Sequence, residues 1–231
     1  MGFSWHPVQL TIIVSACATI ITFLLGLLTA YIMVKKTIKG KAIIETLFFL
    51  PLVLPPTVIG FLLLVIFGKN SFIGQAIEKI FGQSLLFTVP AAIIAAVVVS
   101  FPLMYQSIKT GFLSVNQSII DAAKDLGATN HQILLKIIIP LSTKSIITGT
   151  ILSFTRAFGE FGATLMFAGN IPGKTQTIST AIFFSIESGQ TVNAWYYVGI
   201  SILFSFILLF ISNRVKMKRL GQNPSKPFFY M

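Results

Sequence analysis

Two ionisable residues stand where charge is costly. Arg156 and Glu160 lie inside the apolar stretch FTRAFGEFGATLMFAG. Four positions apart on a helix, they share a face and can pair. Two readings are open. In one they line a route or gate, with Arg156 offering positive potential to an anion. In the other they neutralise each other and hold helices or subunits together. A strong fixed anion site would hinder release, which favours the second. A second constellation, Ala168 to Thr175 (AGNIPGKT), matches a relaxed P-loop pattern. A P-loop follows a strand and opens a helix in a soluble βαβ unit. This one follows an apolar run and contains Pro172, so it is rejected. His6 and His131 are far apart in sequence and unsupported as ligands. Cys17 is the only cysteine, so no intrachain disulfide forms. No catalytic, cofactor-binding or metal-ligating set is expected.

The elements that must carry these residues follow from composition. Of 231 residues, 55% are apolar and 10% charged, with mean hydropathy +0.87. Soluble domains carry about 25% charged residues. A disordered tail, a soluble enzyme and a disulfide-built module are excluded. Five stretches reach or approach the roughly 20 residues needed to cross a bilayer: 8–34, 46–67, 85–108, 137–168 and 194–211. The fourth is longer than one span needs, so its first turns are placed at the surface and the span at 140–168. The runs are continuous and not alternating, which argues against a strand barrel. The expected fold is therefore an all-α integral membrane protein of about five transmembrane helices, a single domain over 8–212 with a basic tail at 213–231.

Charge orients the spans. Thirteen Lys and Arg fall in the links after spans one and three and in the tail; only Lys69, Lys79 and Lys174 fall on the opposite side. The positive-inside rule then places the N-terminus outside and the C-terminus in the cytoplasm. This accounts for most of the net charge of +11 without a nucleic-acid partner. The first seven residues lack Lys and Arg and span one is too long for a signal core, so an uncleaved span is expected. Val14 to Cys17 resembles a lipoprotein cleavage box, but the apolar run continues past it; small residues inside a span are the simpler reading.

Proline and small residues mark the packing. Pro51, Pro55 and Pro56 fall in span two and kink or interrupt it. Such breaks persist where freed carbonyls find partners or face a cavity. A packing kink and a substrate contact are both open for Pro55 and Pro56, and Pro102 is a similar kink in span three. Gly159, Gly162 and Gly169 suit close helix contact, as do Ala91, Ala92, Ala95 and Ala96. The outer link 169–193 holds a short apolar piece, 181–186, that dips into the membrane or packs on the bundle.

The link from Lys109 to Lys136 is too long for a plain loop. Asn116 caps a predicted helix with Ile119, Ile120, Ala123 and Leu126 on one stripe and Asp121, Lys124 and Asp125 on the other face. Gly127 supplies a sharp turn. A second short helix carries Ile133, Leu134 and Ile137 and leads to Pro140. Periodicity alone leaves two readings: a helix lying on the membrane surface, or a docking knob for a cytoplasmic partner.

Asp121-Ala122-Ala123, three residues, Gly127, nine residues, then Ile137-Ile138-Ile139-Pro140 resembles the EAA signature of permease subunits of binding-protein-dependent ABC importers. Asp121 stands where that pattern has Glu, and Ile139 where it has Leu. The stretches 50–70 and 154–177 are similar to the molybdate permease subfamily, related to tungstate and sulfate permeases. The resemblance implies a type I ABC importer permease fold with a cytoplasmic coupling segment at 116–139. It implies that Asp121, Ala122, Ala123, Lys124, Gly127 and Pro140 meet an ATP-binding cassette subunit. It also implies a homodimer of the permease, two ATPase copies, an external oxyanion-binding protein and no cofactor of its own. An ion-driven secondary transporter would show inverted repeats and a midplane ion site, of which only Glu160 is a candidate. A membrane scaffold would not require the EAA spacing.

Overall fold

The computed structural model describes the backbone of residues 3–220 and the side chains of 3–210; the tail expected at 213–231 lies outside the described residues beyond Leu220. Among the described residues every regular element is helical. The chain opens with α1 (His6–Lys35), a 30-residue apolar helix with Pro7 in its first turn. Proline is tolerated there because that N–H has no helical acceptor. The expected second span is two helices, α2 (Lys41–Val53) and α3 (Pro56–Phe67), bent by 115°. Leu54 and Pro55 between them are extended. Pro55 and Pro56 remove two successive N–H donors, and each proline disfavours helix in the residue before it. The run thus breaks fully, where a single kinked span was one expectation.

A short amphipathic helix, α4 (Phe72–Phe81), capped by Ser71, leads to α5 (Val89–Leu113). The start expected at Leu85 moves to Val89, because the Thr88 side chain accepts from the Ala91 N–H and caps the helix there. Its end moves out to Leu113, so Lys109 is a helix residue and not part of a loop. The link that follows holds α6 (Gln117–Asp125) and α7 (Asn130–Ile133). A π-helical turn, Leu134–Ile138, and α8 (Ile139–Leu141) lead to α9 (Thr143–Phe158), with a bend of 71° before α9. The expected fourth span ends early: α9 stops at Phe158 and α10 (Gly162–Ala168) is a separate helix. Then come α11 (Ile178–Glu187) and α12 (Thr191–Leu220). Among the described residues three helices are long and apolar enough to cross a membrane, or up to five spans if each bent pair counts as one.

α5 is the central element, packed by α1, α9, α10 and α2. Ala91, Ala92, Ala95 and Ala96 on it are fully buried. Small side chains let backbones approach, which matters in lipid because apolar area alone gives no drive to associate. Polar pins add to this packing. The Thr22 and Ser153 hydroxyls lie 3.0 Å apart between α1 and α9. The Ile178 N–H donates to Thr11 Oγ1 at 2.8 Å, so α11 docks on α1 and the apolar piece in the link 169–193 packs on the bundle. The AGNIPGKT segment is the end of α10 and a folded loop over 169–175, with Thr175 fully buried and its hydroxyl accepting from the Ile171 N–H.

Candidate functional site

The segment from Asn116 to Pro140 is built locally. The Asn116 side chain accepts from the Ser118 N–H and starts α6. Within α6, Asp121 Oδ1 accepts from Lys124 Nζ and from Gln117 Nε2, both at 3.0 Å. The ammonium of Lys124, then the Gln117 amide, hold the Asp121 carboxyl below the usual carboxylate range. Gly127 has φ +78°, a left-handed conformation, and the Ala128 N–H folds back to the Ala123 carbonyl. This is the Gly-terminated end that lets a helix stop and the chain turn. Thr129 and Gln132 then form a reciprocal capping box that starts α7.

Ile133 is buried. Asp121, Ala122, Lys124 and Leu126 are exposed, and Ile120 and Ala123 are half-buried. The apolar stripe expected to face the protein is thus largely open, Leu126 being 88% exposed. Between α6 and the ends of α1 and α5 lies a cavity of about 310 Å³, lined among others by Tyr31, Lys35, Phe112, Gln117, Lys124 and Ile133. Pro140, exposed, lies just past the π-helical turn. A proline in helix loses one backbone bond, and a π turn re-routes the ladder locally, so bend and proline coincide.

Arg156 and Glu160 form a pair at 2.6 Å. The expected reason, one continuous helix, is corrected: α9 ends at Phe158 and Glu160 sits in the break before α10. There its other oxygen accepts from the Ala163 N–H at 2.8 Å. Glu160 thus neutralises Arg156 and caps the positive end of α10 at once. It is 3% exposed, whereas the Arg156 side chain keeps 27%.

Of the glycines, a Cβ on Gly162 would lie 3.0 Å from Pro56 Cβ, so the two helix breaks touch. A Cβ on Gly169 would lie 2.8 Å from the Phe87 ring. Gly159 differs from expectation. It is exposed, and a Cβ there would meet only the Thr155 carbonyl at 3.7 Å, so within this chain it is no packing contact. Pro55 and Pro56 are exposed at the break.

One group escaped the sequence reading. Glu45 on α2 accepts from Lys109 Nζ at 2.6 Å and from the Tyr105 hydroxyl at 3.1 Å on α5. A lone acid at the start of an apolar run was the only available signal; its partners lie 60 and 64 positions away.

Among the described residues this arrangement consists of broken spans held by the Glu45–Lys109 and Arg156–Glu160 pairs beside an exposed, hinged helix. Residues 11–220 match the family described as binding-protein-dependent transport system inner membrane component. The chain belongs to that family. As a member it is a multi-pass protein of the cytoplasmic membrane. YvgM of Bacillus subtilis (strain 168) is 52% identical, covering 91% of this chain and 92% of the relative. The molybdenum transport system permease protein ModB of Escherichia coli (strain K12) is 39% identical over 94% and 97%. The sulfate transport system permease protein CysT of Salmonella typhimurium is 30% identical over 91% and 76%. The fold is that of importer permeases. A bacterial ABC transporter that imports the acidic polysaccharide alginate has a chain with TM-score 0.74, at 15% identity, covering 92% of this chain and 78% of that one. A chain of the MetNI methionine transporter in an inward-facing conformation gives 0.66, at 15% identity, covering 92% of each.

Proposed function

We propose that this chain is the permease subunit of an ATP-driven importer that moves molybdate into the cytoplasm. The observation that carries the cargo is its 39% identity to ModB of Escherichia coli over 94% of the chain. The permease performs no bond chemistry of its own. Two copies form the route, each carrying one coupling segment. A separate ATP-binding cassette subunit docks on each α6, with Asp121, Ala122, Ala123 and Lys124 as contact residues. Gly127 and Pro140 act as the bends that pass its movement to α9. The exposure of α6 and the capped, hinged geometry after it support this role. An external binding protein delivers the anion to the side bearing Lys69 and Lys174. The bias of Lys and Arg supports a cytoplasmic location for α6.

The mechanism follows from the elements. Closure of the ATPase pair moves α6 and α7; the π turn and α8 form a short lever into α9. Arg156 and Glu160 sit at the far end of α9, beside the Pro55–Pro56 break through Gly162. Displacement of α9 therefore reaches both breaks. Glu160 keeps Arg156 neutralised, so passing anion meets a weak field and is released.

The test is ATP hydrolysis by the reconstituted complex with binding proteins loaded with molybdate, tungstate or sulfate. Stimulation by the molybdate-loaded protein is expected. CysT similarity makes sulfate the second reading, and stimulation by sulfate alone would replace molybdate with it.

A further inference from the structure

We propose that the half of the anion's path nearer the coupling segment runs along a polar groove between α5 and α9, with Lys144 and the neighbouring hydroxyls as its lining. This rests on the anion-importer reading above and names the residues that its cargo meets.

Gln106, Ser107 and Thr110 on α5 and Lys144, Ser145 and Thr148 on α9 surround an open cavity of about 290 Å³. At 100° per residue, Lys144, Ser145, Thr148, Thr155 and Arg156 fall on one side of α9. The stripe rises about 18 Å along the helix toward Arg156. The two helices approach closely here: a Cβ on Gly149 would lie 2.6 Å from Ser107 Cβ.

The satisfaction of these groups is what sets them apart. Several buried hydroxyls of α1 and α5 close on their own helix. Thr11, Ser15, Thr19 and Ser100 each donate to the carbonyl four residues back. Ser107 does the same to Leu103. Among the described residues the side chains of Gln106, Thr110, Lys144, Ser145 and Thr148 form no hydrogen bond within the chain. All five are exposed or half-buried. Lys144 belongs to the Lys and Arg that mark the cytoplasmic side, and exposed polar groups without partners in the chain are held by water. The groove is therefore wet. It contains no carboxylate, and its one charge is positive, so the field admits anions. Its donors are hydroxyls, an amide and a single flexible ammonium. Conduction needs binding favourable enough for entry and weak enough for exit, and scattered donors of this kind suit a tetrahedral oxyanion in transit.

The experiment uses the complete transporter in inverted membrane vesicles, with Cys17→Ser as background. Thr148→Cys and Gln106→Cys are compared with Ile202→Cys on α12, which is exposed among apolar neighbours. Anionic sulfonate and cationic trimethylammonium methanethiosulfonates are the probes. Groove cysteines are expected to react roughly tenfold faster than Ile202→Cys, since modification follows thiolate access. The anionic reagent is expected to be preferred over the cationic one, relative to their rates on free cysteine. Adding Lys144→Gln to Thr148→Cys is expected to remove that preference. Rates no faster than at Ile202→Cys for both groove positions, or a preference for the cation, would overturn the groove. Persistence of the anion preference in Lys144→Gln would overturn the role of Lys144. These rates do not depend on cargo, so stimulation by sulfate alone would remove the molybdate reading and leave the groove standing.

Discussion

At Gly127 a single dihedral angle decides whether the chain can turn between α6 and α7. Its φ of +78° lies in the left-handed region, and nothing lies within 4 Å of where a Cβ would be. The objection to a side chain there is thus conformational, of order 1–2 kcal/mol for an L-residue and larger for a β-branched one. Gly127→Val is expected to abolish uptake while the protein remains inserted at normal level, measured by uptake assay and membrane immunoblot. Glu45 argues differently. Its bonds to Lys109 and Tyr105 tie α2 to α5, and hydrogen bonds to charged groups contribute about 1.5–3 kcal/mol. Glu45→Gln should lower thermal stability by about that amount. A double variant with Lys109→Met should lose less than the sum of the singles. Asp121 is held below the ordinary carboxylate range by Lys124 and Gln117. Its charge is present above that depressed value and lost only as pH falls through it. Stimulated ATP hydrolysis should therefore have the same pH profile between about 5 and 8 in the parent and in Asp121→Asn, whatever the difference in rate.

Helix breaks, more than helices, give the elements their work. Span two was legible as interrupted because Leu54-Pro55-Pro56 is an unambiguous signal. Span four was not, since RAFGEFGA reads as continuous apolar helix with a charged pair. The break there depends on Glu160 turning to the Ala163 N–H, an option invisible until the chain is folded. The segment from Asn116 to Pro140 was legible in detail because its signals are local: a cap, a glycine and a proline. Contact between α3 and α10 is tight. A Cβ on Gly60 would lie 2.6 Å from Met166 Cβ and 2.9 Å from Ala163 Cα. Overpacking of a close contact costs about 1–3 kcal/mol. Gly60→Ala is expected to lower the melting temperature and uptake together, while Gly199→Ala, with open space at its Cβ, leaves both unchanged.

For the molecule in its membrane, orientation is the property on which transport depends. With α6 in the cytoplasm, a cysteine at Ala123 in a Cys17→Ser background should resist impermeant thiol reagents in intact cells and react in inverted vesicles. Labelling in intact cells would reverse the topology and remove the docking role of α6. Composition alone dictated that the chain is a helical membrane protein, because only helices satisfy long apolar backbone in lipid. Local punctuation dictated where the segment from Asn116 to Pro140 begins, bends and ends. Tertiary contact alone decided that Glu45 meets Lys109, that Gly159 meets no neighbouring helix among the described residues, and that the hydroxyls of α5 and α9 share one groove. Those facts depend on which distant surfaces meet, and one-dimensional spacing carries no record of that.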